Sequence, residues 1–148
     1  MRRILVVEDD DAIRGLVSDV LRDDGYLVRE ATNGVEALEQ LRGEPPDLIV
    51  LDLMMPVMDG WQFVEACRDK GCCRDVPIVV TSASHDLPRT AERLRDFGVR
   101  TCLAKPFDVD GLLALVERYA PSDVDATGDR AGSTSSVINS SSARSGAS

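Results

Sequence analysis

The amino-acid sequence predicts an α/β fold, a parallel sheet wound on both faces by helices. Two observations carry this. Short apolar runs alternate with segments of helical spacing five times over residues 1–120. The runs Ile4–Val7, Leu48–Leu51 and Ile78–Val80 are continuously apolar, as strands buried on both faces are. Right-handed crossovers leave few topologies for five such units, and the doubly wound, five-stranded flavodoxin-like order 2-1-3-4-5 fits best.

The elements follow in chain order. After the first strand, Ile13, Leu16, Val17, Val20 and Leu21 form an apolar stripe that ends near Gly25. The weaker run Tyr26–Arg29 makes the second strand. Val35, Leu38 and Leu41 mark a second helix between Asn33-Gly34 and Gly43. Leu48–Leu51 is the third strand. Trp61, Phe63, Val64 and Cys67 mark a third helix ending near Gly71. Ile78–Val80 is the fourth strand, and Leu87, Ala91, Leu94 and Phe97 line a fourth helix stopped by Gly98. Cys102–Ala104 closes the sheet, and Leu112, Leu113, Leu115, Val116 and Tyr119 give the last helix.

Composition narrows the function. A chain of 148 residues with 43% hydrophobic and 29% charged residues suits one globular core. A net charge of -9 argues against direct DNA binding. No stretch approaches the ~20 apolar residues that span a membrane, and the apolar start between Arg3 and Glu8 is too short for a signal peptide. The expected setting is the cytoplasm. Cysteines 67, 72, 73 and 102 match no zinc spacing, and His85 is the sole histidine. They read as reduced thiols. From Pro121 to Ser148 nine of 28 residues are serine and none is aromatic, so a Ser/Gly/Ala-rich disordered tail is expected after one domain over 1–120.

Ligand sites of open α/β sheets lie beyond the carboxyl ends of the strands. There the first strand ends in Glu8-Asp9, the third in Asp52, the fourth in Thr81-Ser82 and the fifth in Lys105. The chain after the first strand reads EDDDAI, not a glycine-rich phosphate loop, which argues against a dinucleotide. The strand order gathers three carboxylates, a hydroxyl and an amine. Crowded carboxylates repel, and a hard divalent cation such as Mg²⁺ relieves them through oxygen ligands. Cation, amine and hydroxyl together suit a phosphoryl group carried on a carboxylate.

The motifs ILVVEDD, LIVLDLMMPVMDG, PIVVTSAS and CLAKPF, in that order, resemble the receiver domain of bacterial two-component response regulators over about residues 2–120. The resemblance implies that Asp52 is the phosphoacceptor. Mg²⁺ would be held by Asp9, by Glu8 largely through water, by Asp52 and by the backbone carbonyl of Met54. Lys105 would contact the phosphoryl group, and its bond to Pro106 is often cis in the family. The switch hydroxyl aligns with Ser82, followed by Ala83, while Thr81 fills a slot that is usually apolar. Cys102 stands where the family usually places a switch aromatic, so movement of the loop around Ser84, His85 and Asp86 is an alternative route for the signal. Met54 and Ser84 occupy positions that tune hydrolysis of the phosphoaspartate.

The resemblance further implies a non-enzymatic phosphorelay component, stand-alone and chemotaxis-regulator-like. A sensor histidine kinase or histidine phosphotransfer protein would donate to Asp52. An unknown output protein would bind the face of the fourth helix, fifth strand and fifth helix, and a homodimer is a further arrangement. One alternative is a constitutive interaction module with a receiver fold. A remote one is a haloacid-dehalogenase-type phosphatase, which needs a second acid where Met54 stands.

Overall fold

The computed structural model describes residues 1–71, 75–83, 87–99 and 101–121. The expectations for Cys72, Cys73, Ser84, His85 and Asp86, and for the tail beyond residue 121, lie outside these residues. In chain order the elements are β1 (Arg3–Val7), α1 (Asp11–Asp23), β2 (Leu27–Ala31), α2 (Gly34–Gln40), β3 (Leu48–Asp52), α3 (Gly60–Lys70), β4 (Ile78–Ser82), α4 (Leu87–Asp96), β5 (Thr101–Ala104) and α5 (Val109–Tyr119). The sheet is parallel throughout in the order β2-β1-β3-β4-β5. The expected (βα)5 topology is therefore the observed one.

Strand alternation divides the apolar residues between two cores. Leu5, Val7, Ile49, Leu51 and Val80 pack with Ala37 and Leu41 from the α2 region, Phe63, Val64 and Cys67 of α3, and Leu94 of α4. On the other face, Ile4, Val6, Leu48, Val50 and Val79 pack with Val17 and Leu21 of α1 and Leu112 and Val116 of α5. All five residues of β3 are buried. Each large side chain among them stabilises the fold by about 1.5–3 kcal/mol. This makes β3 a rigid support for the residue at its end.

Two expected core residues differ. Leu16 of α1 is 53% exposed and Val35 of α2 is 41% exposed. Both fit the helical period, but the face each helix turns to the sheet is centred elsewhere, on Val17 and Leu21 in α1 and on Ala37 in α2. β2 also begins one residue later than expected. Tyr26 is instead a buried anchor whose hydroxyl donates to the Ala120 carbonyl at 2.8 Å or the Glu117 carboxylate at 2.9 Å.

Candidate functional site

Helices α1, α2, α3 and α5 begin at the carboxyl end of the sheet, each capped by a side chain that accepts from an otherwise unpaired N–H. Asp10 accepts from the Ile13 N–H at 3.0 Å and so begins α1 directly after the acidic pair. Asn33 caps α2 in the same way. Asp59 and Gln62 form a reciprocal capping box on α3. Gly60 allows this helix to meet the strand. A Cβ there would stand 2.7 Å from both the Asp52 carbonyl oxygen and the Leu53 Cα, and its N–H donates to the Leu53 carbonyl at 2.9 Å.

Glu8, Asp9 and Asp52 converge as expected. One carboxylate oxygen from each lies within 4.8 Å of the other two. Lys105 reaches in from the end of β5, with its Nζ 2.8 Å from Glu8 Oε1 and 3.3 Å from Asp52 Oδ1. Glu8 also accepts from the Asp10 N–H at 3.2 Å, and Asp52 from the Met54 N–H at 3.3 Å. The Lys105–Pro106 bond is cis. Asp9 is exposed, whereas Glu8 and Asp52 are buried. The cluster therefore opens to solvent on the Asp9 side.

Electrostatics follow from this packing. Asp52 is 3% exposed. Burial, joined by the neighbouring Glu8 charge, pushes its pKa up to about 7, against the opposing pull of Lys105. Burial acts to lower Lys105, but its pairing with Glu8 and Asp52 outweighs this and leaves it raised. One ammonium does not neutralise the pocket. A hard cation among these oxygens would supply the missing charge, and a set of carboxylate donors this close fits Mg²⁺ chemistry.

Ser82 and Thr81 are both buried at the end of β4. Thr81 is the register partner of Asp52, while Ser82 sits one residue further along, opposite Ala104, and its carbonyl accepts from the Lys105 N–H at 2.7 Å. Ala83 is exposed. The Met54 side chain is 67% exposed at the rim. Cys102 is half-buried and packs against the core shared by Val80 and Leu94, where burial pushes its thiol pKa up.

One site residue was not anticipated. Arg14 of α1 donates to the Glu8 carbonyl at 2.9 Å. A signal was available in the sequence, since Arg14 is the first basic residue after EDDD and lies one helical turn beyond the Asp10 cap. On α3 and α4 the Arg93 guanidinium lies 4.3 Å from the centre of the Trp61 ring, and Arg68 lies 4.5 Å from that of Phe97. This packs the tryptophan of α3 against Arg93 of α4.

A family model described as the response regulator receiver domain matches residues 4–117. The chain is 34% identical over 119 residues to the sporulation initiation phosphotransferase F of Bacillus subtilis, covering 80% of this chain and 94% of that protein. It is 41% identical over 126 residues to the response regulator MprA of Mycobacterium tuberculosis, covering 82% of this chain but only 53% of that protein. Among solved structures it resembles the response regulator TrrA of Thermotoga maritima in complex with Mg²⁺-BeF, at 31% identity and a TM-score of 0.69, with 80% of this chain and 99% of that one covered.

Proposed function

Because this chain belongs to the response regulator receiver family of two-component systems, we propose that Asp52 accepts a phosphoryl group with the help of Mg²⁺, and that the product switches binding to a partner protein. The observation that carries this is the buried Asp52 carboxylate at the end of β3, held 3.3 Å from the Lys105 ammonium beside Glu8 and Asp9.

In this reading the donor is a phosphohistidine of a sensor kinase or phosphotransfer protein in the cytoplasm. An Asp52 oxygen attacks phosphorus, the phosphorus–nitrogen bond breaks with its electron pair going to the nitrogen, and the ring leaves as a neutral imidazole that keeps the proton on its other nitrogen. Glu8, Asp9, Asp52 and the Met54 carbonyl would hold the cation, which would supply positive charge against the phosphoryl oxygens. Lys105 gives up part of its pairing with Glu8 and Asp52 to contact the incoming group. Ser82 supplies the hydroxyl that closes on the phosphoryl oxygens, favoured over Thr81 by its place beside Lys105. The new charge biases a two-state equilibrium that the α4–β5–α5 face presents to an output protein or a second copy. Cys102 cannot swing a ring in this transition, so the change does not run through an aromatic at that position.

Acetyl phosphate labelling tests the assignment. The unsubstituted chain should label only with Mg²⁺, and Asp52→Asn should abolish the label. Label surviving that substitution places the acceptor elsewhere. Ser82→Ala should impair the switch more than Thr81→Ala, read as the change in Trp61 fluorescence with Mg²⁺ and beryllofluoride. The reverse order would move the hydroxyl role to Thr81.

A further inference from the structure

Arg14 has a contact set that the proposed transfer chemistry does not use. Its side chain is 14% exposed, and its guanidinium reaches three separate residues at once. Nη1 donates to the Glu8 backbone carbonyl at 2.9 Å, Nε to Glu30 Oε1 at the end of β2 at 3.2 Å, and Nη2 to Asp11 Oδ1 in the first turn of α1 at 2.6 Å. A planar fork with donors on both edges can satisfy these acceptors together, whereas a point-like ammonium cannot.

The Glu8 carbonyl belongs to the peptide that leads into Asp9. Its orientation therefore sets the direction from which the Asp9 side chain departs. The flanking groups are already pinned. The Glu8 N–H donates to the Ala31 carbonyl at 3.0 Å, and Asp10 is engaged both as the α1 cap and through its own N–H to Glu8 Oε2. Arg14 supplies the remaining hold, on the connecting peptide. Asp9 itself is exposed, so its aim depends on this backbone more than on packing.

We propose that Arg14 is a positioning residue for the cation site: by fixing the Glu8–Asp9 peptide it aims the Asp9 carboxylate at the position that Mg²⁺ would take. The inference rests on the receiver reading given above and adds to it a residue outside the acidic cluster. Groups that orient a metal ligand without touching the metal are commonly worth 10–100-fold in affinity.

Charge and positioning predict opposite signs here, which makes the test decisive. Removing the Arg14 charge leaves Glu30 and Asp11 less compensated and the neighbourhood more negative. Electrostatics alone would then tighten Mg²⁺ binding. Loss of positioning would weaken it.

The experiment is calorimetric titration of the full chain with MgCl₂, for Arg14→Gln, Arg14→Lys and Arg22→Gln beside the unsubstituted protein. Far-UV circular dichroism and urea melts in EDTA establish that each variant is folded at the titration temperature. Arg22 is the control, since its Nη2 lies 3.6 Å from the other Glu30 oxygen and it makes no contact with Glu8. Both Arg14 variants should bind Mg²⁺ about tenfold more weakly, and Arg22→Gln should bind normally. The Mg²⁺ concentration for half-maximal acetyl phosphate labelling should rise in parallel, with the rate at saturating Mg²⁺ restored. Unchanged or tighter binding by Arg14→Gln overturns the proposal, as does full affinity in Arg14→Lys, which would mean that charge alone suffices. If Arg14→Gln fails to fold, Arg14→Lys alone decides. Absence of Mg²⁺ binding by the unsubstituted chain would sink the metal reading itself, a distinct result.

Discussion

Asp52→Asn should make the cation-free protein more stable, and the size of the gain should depend on pH in a defined direction. The folded protein raises the Asp52 pKa from 3.8 to about 7. An acid whose pKa is raised on folding opposes folding when ionised. That penalty is complete above pH 7, shrinks as pH falls through the folded pKa, and is gone below about pH 4, where folded and unfolded chains are both protonated. Three pKa units at about 1.4 kcal/mol each set a ceiling on the order of 4 kcal/mol. Local relaxation around a charged pocket reduces such ceilings, so a gain of about 2–4 kcal/mol is expected at pH 8. Asparagine keeps an oxygen to accept the Met54 N–H, and Lys105 keeps its 2.8 Å pairing with Glu8. The ion pair lost with Lys105, at 3.3 Å, already opposes the raised pKa and does not reverse the sign. The assay is urea unfolding in EDTA at several pH values between 8 and 5.5. A gain that is absent at pH 8, or that grows as pH falls, refutes the view that a buried, repelled carboxylate strains this pocket. Added Mg²⁺ should close the gap by stabilising the unsubstituted chain, by about 2.7 kcal/mol at a hundredfold excess over its Kd.

Four further outcomes follow from single contacts. Gly60→Ala should destabilise the protein by about 1–3 kcal/mol in urea melts, because its Cβ would press on the Asp52 carbonyl and the Leu53 Cα. Val57 is a β-branched residue at φ 69° and 78% exposed, so Val57→Gly should raise stability by about 1 kcal/mol in the same assay despite the looser unfolded chain. Ser18 is fully buried in α1 and its hydroxyl has no hydrogen-bond partner among the described residues, so Ser18→Ala should raise the unfolding midpoint, by about 1 kcal/mol in free energy. Met54 offers no strong hydrogen bond to an attacking water, so Met54→Asn should shorten the lifetime of the phosphoryl group in a decay assay, and an equal or longer lifetime would contradict its assigned role.

The architecture was legible because its signals are local. Leu48–Leu51 reads as a strand buried on both faces, Asp10, Asn33 and Asp59 cap the helices they precede, and Gly25, Gly71 and Gly98 take the positive φ values that end α1, α3 and α4. Once five such units fold with right-handed crossovers, the acids at 8, 9 and 52 and the lysine at 105 must meet at one end. Less legible was which apolar residues face inward. Leu16 lies within the α1 period, yet it is exposed, because a helix packs along one line and the stripe is wider than that line.

From its sequence alone the chain determined its strands, its helix starts, its sheet order and the set of groups at the sheet's carboxyl end. These depend on hydrophobic period, capping chemistry and chirality, all properties of near neighbours. Only the tertiary structure decided how those groups interact. It placed Thr81 in register with Asp52 and Ser82 beside Lys105, joined Arg14 to the Glu8 carbonyl and the end of β2, and brought Asp52 to a pKa of about 7. Those outcomes depend on distances of a few ångströms between residues far apart in the chain, and on the removal of water from around them, which no local pattern encodes.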